Sequence, residues 1–467
     1  MQDRDRTWEQ MNDMVNKKAV LTIILMTSFI SSSNMSMINV ALPVIGRELA
    51  MDAVLLGWVV TAHLLSTAAL QVPMGKFADI FGRKKIFLMG TIIFMATTLL
   101  SGLANSATVL IFSRTLAGVG AAMIITTGLA ILTSVFPPEE RGQAIAANMA
   151  VIYLGISLGP LLGGVLTEYL GWRSIFYISS AVGLVAVIMV FMKLKGEWAE
   201  ARGEGFDYRG SIVFALGIST AMYGFSELPS LRGILIFTAG MIGLVFFTRI
   251  ECMVKTPILD FRIFRRNSVF LLSNLAVLIN YCGAYASTFL MSLYMQYIMG
   301  YTPQAAGIIL VSQPALMSLF ALMSGKLGDV FTPRHVATTG LALNCAGLFM
   351  LSFLGEESAL WYAVVSLGIF GIGGGLFSSP NANMTMSSVD KRLLGVASGT
   401  ISTMRSAGMI LSMGITMILF SLYMGKVEVT PEYYPDFLTC IRAAYIIFAS
   451  FCFGGIFFQL AAKRSRK

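Results

Sequence analysis

The sequence predicts an all-α integral membrane protein of two repeated six-helix bundles with an extra two-helix hairpin between them. Three observations lead there. Hydrophobic residues make up 56% of the 467 positions and mean hydropathy is +0.77. Charged residues are 12%, against about 25% in soluble domains, and a water-soluble fold could not hide that much apolar surface. Finally, long apolar runs recur along the whole chain, and parts of them repeat at a fixed offset.

A helix needs about 20 apolar residues to cross a bilayer core of about 30 Å. Fourteen runs meet that length, near residues 19–42, 53–74, 86–104, 108–135, 143–168, 173–192, 210–227, 231–248, 268–298, 304–324, 335–354, 359–387, 394–424 and 440–461. The polar stretch 1–18 lacks a small-residue cleavage site after the first run, so it reads as a cytoplasmic tail before a retained helix. Residues 462–467 form a second, basic cytoplasmic tail.

The excess of basic residues, 33 Lys and Arg against 24 Asp and Glu, tests this topology. With the N-terminus cytoplasmic, 26 of the 33 fall in tails and loops on that side. Five fall opposite: Arg47, Arg173, Arg232, Lys426 and Arg442. Two, Arg114 and Arg405, lie inside spans. Cytoplasmic loops of membrane proteins carry such an excess, so the charge reads as orientation in a cytoplasmic (inner) membrane. The basic residues are scattered rather than gathered with aromatics, which argues against nucleic acid. Five widely spaced cysteines without CxxC spacing read as small buried hydrophobes, and no metal is expected.

Loop 2–3 contains PMGKFADIFGRKK and loop 10–11 contains LMSGKLGDVFTPRH. Gly75, Lys76 and Asp79 recur as Gly325, Lys326 and Asp329, an offset of 250, and Gly57 recurs as Gly307 in the same register. Internal repeats of membrane helices build many secondary transporters, with the substrate site between the halves. The expected organisation is an N-terminal bundle over 19–195, a linker with two extra helices over 196–266, and a C-terminal bundle over 267–461.

Several strings resemble the fourteen-helix drug/proton antiporter branch of the major facilitator superfamily, and the likeness runs end to end. GKFADIFGRKK (75–85) resembles that superfamily's loop 2–3 signature, RTLAGVGAA (114–122) its helix 4 motif and GISLGPLLGG (155–164) its helix 5 antiporter motif. NVALP (39–43), FDYRG (206–210), PILDFRIFRR (257–266) and LYMQYIMGYTPQAAG (293–307) match strings of the branch. The resemblance implies a major facilitator fold, export of drug-like molecules and protons as the coupling ion. It also implies an Asp in helix 1 just before NVALP, where Asn34 stands, and a Gln in helix 4 at Ala117.

The motifs also have readings of their own. Gly75 and Gly82 permit a tight turn, Asp79 and Asp329 can meet a helix N-terminus or a basic side chain, and Arg83, Lys84 and Lys85 suit anionic headgroups. The run is either a latch that holds one conformation or a plain basic loop. Gly155, Gly159 and Gly163 line one stripe where helices approach closely, while Pro160, with Gly164, bends the span. That stripe is expected to shape the interface between halves. The glycines at 371, 373, 374 and 375 follow no strand and read as packing rather than a dinucleotide loop. No phosphate-cradling GxxxxGK[ST] occurs, and no catalytic cluster suggests an enzyme or a cofactor.

Ionisable groups inside a membrane are functional suspects. Counted from the outer helix ends at 1.5 Å per residue, Arg114, Asn34 and His63 lie roughly 9, 13 and 15 Å deep, a common level facing a central cavity. Arg405 sits near midspan, and Tyr153, Tyr281, Tyr285 and Phe289 supply aromatic surface. No Asp or Glu lies in the middle of any span. A site with arginines and no carboxylate suits an anion or neutral solute better than a lipophilic cation. Two functions follow: multidrug-type export of amphipathic small molecules, with His63 available to titrate, or carriage of an organic anion or acidic lipid with weak or no proton coupling.

Overall fold

A computed structural model describes residues 16–199, 201–203, 205–253, 267–389, 394–425 and 427–462. The repeated Asp329 has a helical backbone but its side chain lies outside the described set, and PILDFRIFRR (257–266) lies wholly outside it. Among the described residues every long element is a helix. In order they are α1 (Lys17–Glu48), α2 (Ala53–Phe81), α3 (Arg83–Gly102), α4 (Ala107–Val135), α5 (Pro138–Leu170), α6 (Arg173–Lys193) and α7 (Tyr208–Ser226). There follow α8 (Leu231–Met253), α9 (Ser268–Leu293, continued by a π turn over Tyr294–Ile298) and α10 (Pro303–Leu310 and Ser312–Val330). The last four are α11 (Pro333–Leu351), α12 (Leu360–Ser387), α13 (Leu394–Tyr423) and α14 (Tyr434–Ala461).

Local chemistry sets these boundaries. Asn16, Asp52, Ser106, Asp207, Asn267 and Thr302 cap their helices by accepting a backbone N–H, each satisfying a donor that the first turn leaves orphaned. The break in α10 at Val311 follows from Pro314, whose ring nitrogen leaves the carbonyl of Leu310 without its helical partner. Among the described residues twelve helices are long and apolar enough to cross a membrane, and α7 and α11 fall short of that measure. Large apolar side chains including Phe112, Phe191, Leu231, Leu322, Phe353 and Trp361 stand exposed on the outer surface, where lipid rather than water is the compatible neighbour.

The helices pack in two sets with the same pairings. In the first, α1 packs on α5 and α6, α2 on α4, and α3 on α4 and α6. In the second, α9 packs on α13 and α14, α10 on α12, and α11 on α12 and α14. The sets meet where α5 crosses α10 and α2 crosses α13, a symmetric pair of seams, with α1 against α9 between them. The glycines of the sequence repeat mark both seams. A Cβ on Gly57 would lie 2.9 Å from Met417 of α13, and one on Gly307 would strike the carbonyl of Pro160 in α5. Helices α7 and α8 pair through Gly217, Gly224 and Gly240, and α7 leans on α2 and α13. There Trp58 meets Tyr223 at 6.2 Å between ring centroids, and Gly414 admits Phe225.

The structure corrects several expectations. The run GKFADIF is not a loop: α2 continues through Pro73 to Phe81, because a proline removes one hydrogen bond while the turns after it can still form. Gly75 is therefore helical, and only Gly82, at φ 116°, makes the turn. The equivalent GKLGDV is likewise helical to Val330. The stripe of Gly155, Gly159 and Gly163 faces Ser32, Ser36 and Met37 of α1, within one set of helices rather than between sets. Gly164 and the Pro160 carbonyl are the parts of that motif that reach α10. The glycines of α12 pack as expected, Gly371 and Gly375 on α10 and Gly373 on α11.

Candidate functional site

Arg114 projects from α4 and is 1% exposed. Its Nη1 donates to Asn34 Oδ1 of α1 at 3.1 Å, and its Nε donates to the carbonyl of Val59 in α2 at 3.4 Å. Asn34 is held in turn, its Nδ2 donating to Ser179 Oγ of α6 at 2.9 Å. Four helices of the first set are thus tied at one level, as the depth count along α1, α2 and α4 predicts. His63 lies one turn beyond Val59 on α2 and is buried, and its Nδ1 has no protein partner. Its carbonyl accepts hydrogen bonds from Ser66 and Thr67. From the second set, Tyr285 of α9 interacts electrostatically with Arg114, and its buried hydroxyl is also unpartnered.

A second group forms about one turn nearer the chain termini. The guanidinium of Arg405 in α13 stands 5.8 Å from the ring centroid of Tyr281 in α9. It also interacts with Tyr281 and Tyr153 through their hydroxyls, Tyr153 coming from α5 of the first set. Tyr153, Tyr281, Tyr285 and Arg405 are all half-buried. The two groups draw side chains from both helical sets onto the seam between them. Phe289 does not join them: it is fully buried and stacks toward Phe420 at 6.0 Å in the core, because α9 turns that position onto α13. Among the described residues no carboxylate acts on Arg114 or Arg405.

Sequence reasoning missed Ser179 and the Val59 carbonyl, which orient the first group. It also missed a buried Asn280–Asn344 pair at 2.5 Å joining α9 to α11. A signal existed for the asparagines, since an amide within an apolar span must find a partner. Backbone carbonyls carry no signal in sequence.

The end of the seam away from the termini is fastened. Ser292 Oγ of α9 donates to the Asn39 carbonyl of α1 at 2.6 Å, and Gln296 Nε2 donates to the Val40 carbonyl at 2.8 Å. Pro43 lies inside α1, so the Asn39 carbonyl has lost its helical N–H and is available to a partner. Pro160 releases Ile156 in the same way, and Ser36 Oγ occupies that carbonyl at 3.0 Å. Glu168 Oε2 accepts the backbone N–H of Gln304 at 3.0 Å, and Tyr297 reaches the Pro43 carbonyl at 3.4 Å beneath the guanidinium of Arg47.

The run around Asp79 is built differently from a bond between sets. Arg83, 7% exposed, pairs with Asp79 at 2.7 Å and donates to Ser134 Oγ at 2.6 Å and to the Ala130 carbonyl at 3.3 Å, both at the end of α4. Its backbone N–H donates to the Trp198 carbonyl, and the Lys84 N–H donates to Glu197 Oε1 at 2.9 Å. The cluster staples α2, α3 and α4 to the segment after α6. Glycine suits the turn because a side chain is strained at φ 116°, and a Cβ would also lie 2.6 Å from the Glu197 carboxyl, which would have to shift.

The family model described as Major Facilitator Superfamily matches residues 24–275 and 273–467. The chain belongs to the Major Facilitator Superfamily. One relative of similar length is the riboflavin transporter RibZ of Clostridioides difficile (strain 630), 29% identical over 95% of this chain and 97% of that one. The multidrug resistance protein Stp of Mycobacterium tuberculosis (strain CDC 1551 / Oshkosh) is 29% identical over 84% of this chain and 74% of its own. The cephamycin export protein CmcT of Amycolatopsis lactamdurans is 30% identical over 83% and 82%. Several relatives are named for multidrug resistance, multidrug transport or export. The fold is shared with a bacterial homolog of the human lysosomal transporter Spinster, in an inward-facing and occupied conformation, at TM-score 0.70 and 17% identity over 96% and 97% of the two chains. It is shared equally with a peptide transporter, POT, in complex with sulfate, at TM-score 0.70 and 13% identity over 96% and 97%. This facilitator is a multi-pass membrane transporter of small molecules.

Proposed function

We propose that this chain exports amphipathic small molecules by alternating access of two six-helix bundles, residues 19–195 and 267–461. In this reading α7 and α8 are a membrane hairpin inserted between the bundles, giving fourteen spans with both termini cytoplasmic in the inner membrane. The far-end fastening then closes the outer side, and the described state faces inward. The observation that carries the reading is the polar cluster of Asn34, Arg114, His63 and Tyr285, buried where the bundles meet. Ionisable groups at such depth mark substrate and ion pathways. The half-buried tyrosines of α9 and α5 offer flat apolar faces, which suit an aromatic ligand such as the riboflavin for which one relative is named. The glycine and proline motif of α5 lets that helix move against α10, and the Asp79–Arg83 staple keeps the first bundle rigid while it does so.

Protons are the proposed coupling ion, with His63 as their proposed carrier, since an amide at position 34 cannot titrate and His63 is the imidazole of this cluster. Efflux of a dye and drug panel from cells with and without the protein tests the function. Accumulation should fall for at least one amphipathic compound when the protein is present. Unchanged accumulation across the panel, anionic compounds included, would refute the exporter reading. Loss of pH-gradient dependence in His63→Ala tests the coupling residue, and its persistence excludes His63.

A further inference from the structure

The charges at the seam do not balance. Arginine stays protonated in proteins and carries five N–H donors. Arg114 meets only neutral oxygens, Asn34 Oδ1 and the Val59 carbonyl, with the neutral hydroxyl of Tyr285 beside it. Its other N–H groups have no acceptor among the described residues. Arg405 is faced by Tyr281 and Tyr153 and by no carboxylate. A buried charge is costly unless it is paired, and among the described residues no carboxylate pairs with either guanidinium.

We infer that the site's cargo is an aromatic organic anion, its acidic group held by Arg114 and Arg405 and its ring lying among Tyr153, Tyr281 and Tyr285. This deepens the exporter reading and rests on it. Three features fix the class. Guanidinium forks match a planar carboxylate or a sulfonate and bind it in preference to a point charge. Tyr281 and Tyr285 stand one turn apart on the same face of α9, about 6 Å, each beside one of the two arginines. That spacing accepts a ring system with its charged edge toward either cation. The same two positive charges, without an acid between them, repel a cationic drug, so discrimination comes from repulsion as well as attraction. Asn34 fits this arrangement, since an Asp in its place would occupy the guanidinium that the anion needs.

Three probes of one shape separate charge from hydrophobicity: naphthalene-2-carboxylate, naphthalene-2-carboxamide and the naphthalen-2-ylmethylammonium cation. Binding is measured on the purified full-length protein in nanodiscs by equilibrium dialysis, reading naphthalene fluorescence. The carboxylate is expected to bind at least tenfold more tightly than the amide, and the ammonium more weakly than the amide. Arg405→Gln should remove most of the carboxylate's advantage without weakening the amide, and Arg405→Lys should restore part of it. Arg114→Gln should act in the same direction, and Arg405 serves as the independent variant should loss of the Arg114–Asn34 bond unfold the protein. Equal binding of all three probes, preference for the ammonium, or a carboxylate preference untouched by both arginine substitutions would overturn the inference. Binding of none of them overturns it as well. In each of those cases efflux of the dye panel still decides the exporter reading on its own.

Discussion

The outer fastening makes a quantitative prediction. Ser292 and Gln296 donate to the Asn39 and Val40 carbonyls at 2.6 and 2.8 Å, and Gln296 Nε2 also donates to Ser292 Oγ at 3.1 Å. Both donor side chains, and the residues whose carbonyls they meet, are buried. Replacing Ser292 with Ala strands the proline-released carbonyl of Asn39 in the closed state, at about 1–3 kcal/mol. In the open state that carbonyl faces water and loses nothing. The closed state therefore weakens relative to the open one by roughly 5- to 150-fold in population, at about 1.4 kcal/mol per tenfold. Gln296→Leu acts on the neighbouring carbonyl, and because the two donors are themselves bonded, the double variant should cost less than the sum of the single ones. Spin labels at Asn105 and Glu357, both exposed at the far end on opposite bundles, report the separation by pulsed dipolar spectroscopy. The wild type should give one short distance and Ser292→Ala a second, longer population. An unchanged distance distribution in both single variants and in the double variant would refute the idea that these bonds hold the outer side shut.

Three further outcomes follow from the geometry. Gly307→Ala puts a methyl group against the Pro160 carbonyl, so the same labels should show opening of the far end with little change in thermal stability. Asn34→Asp supplies Arg114 with an internal counter-charge, and should lower naphthalene-2-carboxylate affinity at least tenfold while raising that of the ammonium probe. Gly82→Ala both strains a backbone at φ 116° and meets the Glu197 carboxyl; the strain is about 1–3 kcal/mol, read as a lower melting temperature in detergent.

The sequence made the helices legible because each apolar run must cross the same thickness of hydrocarbon, and the charges outside them sort by side. It also made Arg114, Asn34 and His63 legible as one level, since depth along a helix is a simple count. The depth count did not say what holds them, because Ser179 and the Val59 carbonyl belong to helices whose rotation no residue count supplies. GKFADIF looked like a loop since its charges and glycines are those of loops, yet its termination waits for Gly82. Phe289 shared the face-counting of Tyr281 and Tyr285 but lies where α9 meets α13, a matter of packing between helices more than a hundred residues apart. The outer fastening was invisible for the same reason: Pro43 announces a released carbonyl, but its donor arrives from α9, some 250 residues later.

The uncompensated arginines also make the protein responsive to voltage. Moving one elementary charge across a membrane potential of 100 mV is worth about 2.3 kcal/mol, and the proposed alternating access would expose the two guanidinium charges first to one side and then to the other. In the proposed orientation, with the termini cytoplasmic and the cell interior negative, the field would draw the unloaded site inward, the side where the proposed exporter collects cargo. A bound monovalent anion cancels half of that charge and so weakens the pull that keeps the site facing in. In that proposed cycle loading eases the outward step, the loaded site moving out with one positive charge and the empty site returning with two, so that each full turn carries one negative charge out of the cell.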